Sequence, residues 1–209
     1  MNKIFRFDNI HISTPYREIY SRLGYNKHKT LIPDELKSRI DSLIDEIQSL
    51  CILSGCYTII KIKNKEEHKI ILENEVSFSG KKLYAEYSDS SELAIMFVTA
   101  GKEPLFLIDS AISQKKGSDA IVYDAAVSEV TDAGISWIHK YISGTLIRSG
   151  GIISNFRYSP GYGDFSIEHQ RLIYNILNLA EYGIELTNTF MLVPEKSVTA
   201  VCGIRTADF

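Results

Sequence analysis

The chain has 209 residues, with 44% apolar and 23% charged side chains and a formal net charge of −3. That is the composition of an ordinary globular protein long enough to bury a core. The mildly acidic balance, without a basic block, argues against nucleic acid as a partner, and no apolar run reaches the ~20 residues that span a bilayer.

In chain order, Ile4 to Ile12 alternates through Ile4, Phe7, Ile10 and Ile12 and predicts a first strand. Thr14 as N-cap, Pro15 at the first helical position and Glu18 near the third open a short helix that ends at Gly24. A second helix begins at Pro33; Leu36, Ile40, Leu43, Ile44, Ile47 and Leu50 form one stripe at helical period. Four β-branched or aromatic runs follow: Tyr57 to Ile62, His68 to Leu72, Lys82 to Tyr87 and Leu93 to Thr99. Their short polar links favour antiparallel pairing. Leu93 to Val98 is apolar throughout, which predicts a central strand buried on both faces.

Helix is expected again from Pro104 to Ser113, interrupted around Lys115 to Gly117, and then from Asp119 to Ser143. On the long helix Ile121, Ala125, Val130, Trp137, Ile138, Tyr141 and Ile142 are expected to face inward. The acids Asp124, Glu129 and Asp132 lie along it, and helical acids are most often simply solvated. Ile152 to Tyr158 predicts a strand, and Ile167 to Tyr182 a helix closed by Gly183. Leu186 to Val193 and Ser197 to Ile204 are expected to pair as a hairpin across Pro194 to Lys196, with a frayed tail from Arg205 to Phe209. The fold class is α+β: one domain over 1–209, with a twisted, mostly antiparallel sheet flanked by helices.

The densest chemistry lies between strand and helix, at Arg157 to His169. Gly161 and Gly163 bracket Tyr162, and Pro160 pushes Ser159 toward extended backbone. Ser166 is expected to cap the helix, with His169 at the capping-box position. Free N–H groups at such a corner, beside Arg157, suit an anion; a plain connector accounts for the same residues. Asp164, Glu168 and His169 read either as a metal group, which would make a hydrolase, or as capping. Elsewhere no dinucleotide glycine motif, P-loop or serine elbow occurs. The histidines His11, His28, His68, His139 and His169 are scattered. Cys51, Cys56 and Cys202 lack metal-ligand spacing, so reduced, mostly buried thiols are expected; the alternative is a redox or metal role for Cys51 and Cys56, for which no His or further Cys completes a set. The charged N-terminus lacks a signal peptide's apolar core, so a cytoplasmic location is expected.

Arg157-Tyr158-Ser159-Pro160-Gly161-Tyr162, followed by Leu186-Thr187-Asn188-Thr189-Phe190-Met191-Leu192-Val193-Pro194-Glu195-Lys196-Ser197-Val198-Thr199-Ala200, resembles the activation domain of cobalamin-dependent methionine synthase. More closely, the chain is similar to free-standing bacterial proteins that carry this domain alone, and Tyr16 to Tyr25 resembles their N-terminal helix. The resemblance implies S-adenosylmethionine bound in a shallow groove, used to remethylate oxidised cobalamin after its reduction. Cobalamin would come only through a partner: a cobalamin-dependent methionine synthase lacking its own activation domain, or another corrinoid protein. A flavodoxin- or ferredoxin-type protein would donate the electron. By resemblance Arg157 faces the ligand carboxylate, Ser159, Pro160 and Gly161 lie against the ligand, and Tyr162 offers its ring. Asp132, with Glu129 as second candidate, meets the ammonium. The family's further ligand-facing tyrosine, supplied beyond the Ser-Val-Thr-Ala strand, is expected to be missing or replaced here. The alternative is a non-catalytic docking module for a corrinoid protein, its groove lapsed.

Overall fold

The structure, a computed structural model, describes residues 3–25, 30–148 and 150–206. In chain order it contains β1 (Phe5–Phe7), α1 (Tyr16–Arg22), α2 (Asp34–Ser49), β2 (Ser54–Glu66), β3 (Lys69–Leu72) and β4 (Ser77–Ser79). There follow α3 (Lys81–Glu86), β5 (Glu92–Thr99), α4 (Glu103–Ser113), α5 (Gly117–Ile147), β6 (Gly151–Ile153) and α6 (His169–Leu177). A 3-10 turn (Leu179–Tyr182), β7 (Glu185–Leu186), β8 (Leu192–Val193) and β9 (Ser197–Thr206) complete it.

The main sheet has seven strands in the order β4-β3-β2-β5-β9-β6, with β1 added against β2. Every pair is antiparallel. β5 is central, and Leu93 to Val98 are all 0% exposed, as the unbroken apolar run predicts. Its side chains alternate between two cores. Ala94, Met96 and Val98, with Ala200, Cys202 and Ile204 of β9, meet Ile19 of α1, Ile40, Ile44 and Ile47 of α2 and the buried side of α5. Leu93, Ile95, Phe97 and Val201 meet Leu83 of α3, Phe165, and Ile173 and Leu177 of α6. Each such aliphatic or aromatic side chain contributes about 1.5–3 kcal/mol on burial. Gly55 lets α5 approach: a Cβ there would lie 2.4 Å from the Phe97 carbonyl oxygen and 2.8 Å from Ile138 Cδ1.

Several expectations are corrected. The expected strand Lys82 to Tyr87 is instead α3 with Tyr87 as its C-cap, because Asp164 caps the helix from far along the chain: Oδ2 accepts the N–H groups of Lys81 at 2.6 Å and Lys82 at 3.3 Å. The neighbouring strand is instead Ser77–Ser79. The first strand is shortened to Phe5–Phe7, and α1 begins at Tyr16 without a side-chain cap from Thr14. On α2, Leu36 and Leu50 are exposed at the ends of the stripe. On α5, Ile121 is exposed, and Tyr141 is partly exposed at the rim, its ring 5.0 Å from that of Phe7 and stacked on Trp137 at 5.6 Å. Ile152 to Tyr158 pairs only over β6 and at the single bridge Tyr158–Val201. The helix after the corner starts at His169, not Ile167, and left-handed Asn178 breaks it before the 3-10 turn. Leu186 to Val193 does not pair with β9; β7 and β8 form their own two-stranded sheet, and the Val193–Pro194 bond is cis. β9 continues through Arg205 and Thr206, while 207–209, at the end of the expected frayed tail, and His28 lie outside the described residues. Among the described residues no helix is long and apolar enough to cross a membrane.

Candidate functional site

The extended segment from Ser154 to Tyr158 is tied from both faces of the sheet. From α5, His139 Nε2 lies 2.8 Å from the Ser154 carbonyl oxygen. From the end of α3, the Tyr87 hydroxyl lies 2.9 Å from the Phe156 carbonyl and 3.0 Å from that of Val201. Tyr158 and Val201 exchange N–H···O bonds of 3.0 and 2.8 Å. Successive side chains of extended backbone point to opposite faces. Tyr158 therefore packs against Tyr87 at a ring separation of 5.9 Å, while Arg157 turns toward α5 and its Nη1 donates to Ser136 Oγ at 3.1 Å.

Glu129, Asp132 and Ser136 follow the i, i+3, i+7 spacing that shares one helix face. Arg22, the last residue of α1, meets them there. Its Nε donates to Glu129 Oε1 at 2.5 Å, and its Nη2 lies 3.6 Å from Asp132 Oδ2. The Glu129 side chain is 16% exposed and that of Asp132 55%. Lost hydration, then the charge of Glu129, hold the Asp132 carboxyl above the usual carboxylate range, with Arg22 and Arg157 working against both. An open hollow of about 460 Å³ adjoins the cluster, lined by Arg17, Glu18, Ser21, Arg22 and Glu129. Two guanidinium groups alternating with two carboxylates suit a zwitterion, whose carboxylate and ammonium can each find an opposite charge.

The bend itself is built differently from expectation. Gly161 has φ +90°, and a Cβ there would lie 3.2 Å from Ile167 Cδ1, so the chain's own packing and backbone already favour glycine. The N–H groups of Gly161 and Tyr162 go to the carbonyls of Phe165 at 2.8 Å and Ser159 at 3.1 Å. At the start of α6, the Glu168 N–H meets Ser166 Oγ, and those of His169, Gln170 and Arg171 meet the carbonyls of Ser166, Ile167 and Glu168. The free N–H groups expected for an anion are thus taken, because a run of tight turns replaces an abrupt helix start. Ser159 and Pro160 are partly buried, and Tyr162 is 69% exposed, its ring 6.4 Å from that of Tyr158.

Asp164, Glu168 and His169 do not form a metal group. Asp164 caps α3, His169 Nε2 lies 3.0 Å from Ser79 Oγ, and no cluster of metal-binding side chains occurs among the described residues. His169 does not occupy a capping-box position. Cys51 and Cys56 pack in different cores, and burial pushes both thiols up to about 12, far from a reactive thiolate. The residues missed from sequence are Arg22, Tyr87, Ser136 and His139. Of these, Ser136 and His139 carried a signal, their helical spacing from Glu129 and Asp132.

No protein-family profile and no curated protein matches the chain. Among solved structures, its fold is similar to that in the crystal structure of the MetH reactivation domain bound to AdoHcy, with a TM-score of 0.68 and 15% identity. The match covers 97% of this chain and 78% of that one. The α+β arrangement of helices about a curled antiparallel sheet is therefore the fold of that domain.

Proposed function

We propose that the chain binds S-adenosylmethionine between α5 and the bend at residues 157–162 and supports reductive remethylation of oxidised cobalamin on a partner methionine synthase. The observation that carries this is the convergence of Arg157 on the Glu129–Asp132–Ser136 face, within a fold whose solved counterpart holds AdoHcy. Arg157 receives the ligand carboxylate, exchanging Ser136 for a charged acceptor. Asp132, half exposed, receives the ammonium. The exposed Tyr162 ring offers its face to the adenine or the sulfonium. Bound S-adenosylmethionine supplies the methyl group for cobalamin held by the partner, while a flavodoxin- or ferredoxin-type protein supplies the electron. The work of this chain is positioning, which calls for no general acid or base.

Calorimetric titration with S-adenosylmethionine tests the site. Arg157→Ala should weaken binding by about 1.5–3 kcal/mol; equal affinity removes Arg157 from it. Mixing the chain with an oxidised cobalamin-dependent methionine synthase lacking its own activation domain, a reductant and S-adenosylmethionine should produce methylcobalamin absorbance. One observation favours the second reading, a docking module for a corrinoid protein with a lapsed groove: Arg22 already occupies both acids. Complex formation with such a protein, without heat from S-adenosylmethionine, would select it.

A further inference from the structure

We infer that Arg22 is an internal counter-cation for the groove, holding Glu129 and Asp132 until a cationic ligand takes its place and thereby setting the discrimination between S-adenosylmethionine and S-adenosylhomocysteine. This rests on the ligand reading above and deepens it. The Arg22 side chain is 44% exposed, so it can swing toward solvent without unfolding the core. It comes from the C-terminal end of α1, where Leu23 caps the helix and Gly24 turns the chain at φ +85°. It also lines the 460 Å³ hollow together with Glu129, the better buried of the two acids.

The charges decide the consequence. With Arg22 and Arg157 in place, the two acids are matched by two cations. S-adenosylmethionine carries a sulfonium, an ammonium and a carboxylate; its demethylated product lacks the sulfonium and is neutral overall. The ligand carboxylate uses Arg157, and the ammonium uses Asp132. Arg17 and Glu18 also line the hollow with opposite charges and leave its balance unchanged, so the sulfonium finds its counter-charge when Glu129 is released from Arg22. Taking Arg22 away therefore leaves one more uncompensated negative charge, which favours the methylated ligand over the product.

The test is titration of the wild type, Arg22→Gln and the double variant Arg22→Gln/Glu129→Gln with both ligands, at low and physiological salt. Arg22→Gln should bind S-adenosylmethionine about twofold to tenfold more tightly, with a smaller gain for S-adenosylhomocysteine, and the gain should shrink as salt rises. The double variant should lose the gain, since Glu129 supplies it. A residue that only pins α1 to α5 cannot improve affinity on removal. Wild-type binding with unchanged or weaker binding by Arg22→Gln overturns the inference and leaves the site standing. A gain that persists in the double variant overturns it also, by excluding Glu129. Failure of the wild type to bind either ligand removes the site itself, and the role of Arg22 with it.

Discussion

The two faces of the sheet are covered in opposite ways. One carries α2, of 16 residues, and α5, of 31. The other carries α3 and α6, of 6 and 9 residues, and a 3-10 turn of 4. The long helices hold their face by continuous apolar stripes. The short ones are pinned by side chains bonded to backbone: Asp164 on α3, the Tyr87 hydroxyl on Phe156 and Val201, Tyr174 on Ile184 and Tyr182 on Gly55. An isolated helix of so few residues is unstable in water; α3 has its first N–H groups met by distant Asp164, α6 has its own met by Ser166, Ile167 and Glu168, and both bury Leu83, Ile173 and Leu177 against the sheet. The candidate site lies where the two regimes meet: α5 supplies a rigid row of polar groups, and the pinned segment at residues 154–158 brings Arg157 to it.

The largest effect should come from disturbing the close-packed face. Gly55→Ala places a methyl group 2.4 Å from a backbone oxygen and 2.8 Å from Ile138. Neither β2 nor α5 can yield without moving the core, so we expect a loss of about 3 kcal/mol, the upper end for overpacking. Chemical denaturation gives the value, and a loss below ~1 kcal/mol would show that α5 sits less firmly on the sheet than the apolar packing requires.

The pinned face should respond differently. Tyr87→Phe keeps the buried ring but leaves the carbonyls of Phe156 and Val201 without the hydroxyl, at a cost of about 1–3 kcal/mol. Because Phe156 precedes Arg157, ligand affinity should fall together with stability, which Gly55→Ala at equal destabilisation should not reproduce. Paired denaturation and titration of the two variants separates the outcomes. Equal ligand affinity in both would mean that Arg157 is placed by α5 alone.

The same contrast governs what could be read from sequence. The stripe Ile40, Ile44 and Ile47 and the run Leu93 to Val98 carry their own evidence, since period and neighbours are local and the burial follows. Lys81 to Glu86 carries none: Lys-Lys-Leu-Tyr-Ala-Glu reads as strand or helix until Asp164 is brought to its first turn. Arg157, Glu129 and Asp132 entered as candidates through resemblance, and the helix face that the two acids share with Ser136 was legible through spacing. Arg22 was not, because a salt bridge across 107 residues leaves no periodic trace.

The smallest expected effect is a pH dependence confined to the pinned face. His169 is half-buried between Phe165, with ring centroids 4.9 Å apart, and Phe78, at 5.6 Å. Burial holds its imidazole below the ordinary 6.5, against the opposing charge of Glu168. The Ser79 N–H, 3.3 Å from Nε2, is a donor that only the unprotonated ring can accept. The folded state therefore binds the proton less readily than the unfolded one. By linkage, the contribution to stability is complete above the unfolded value of 6.5 and is lost as the pH falls below it toward the lower folded value. Denaturant midpoints measured on both sides of 6.5 should fall on the acid side for the wild type, while His169→Gln, neutral throughout, should remove that part of the slope. Hydrogen exchange should place the loss in β4 and α6 and leave α5 protected. A slope unchanged in the variant would assign the dependence to other groups and show that the ring is held by its aromatic neighbours, with no help from its charge state.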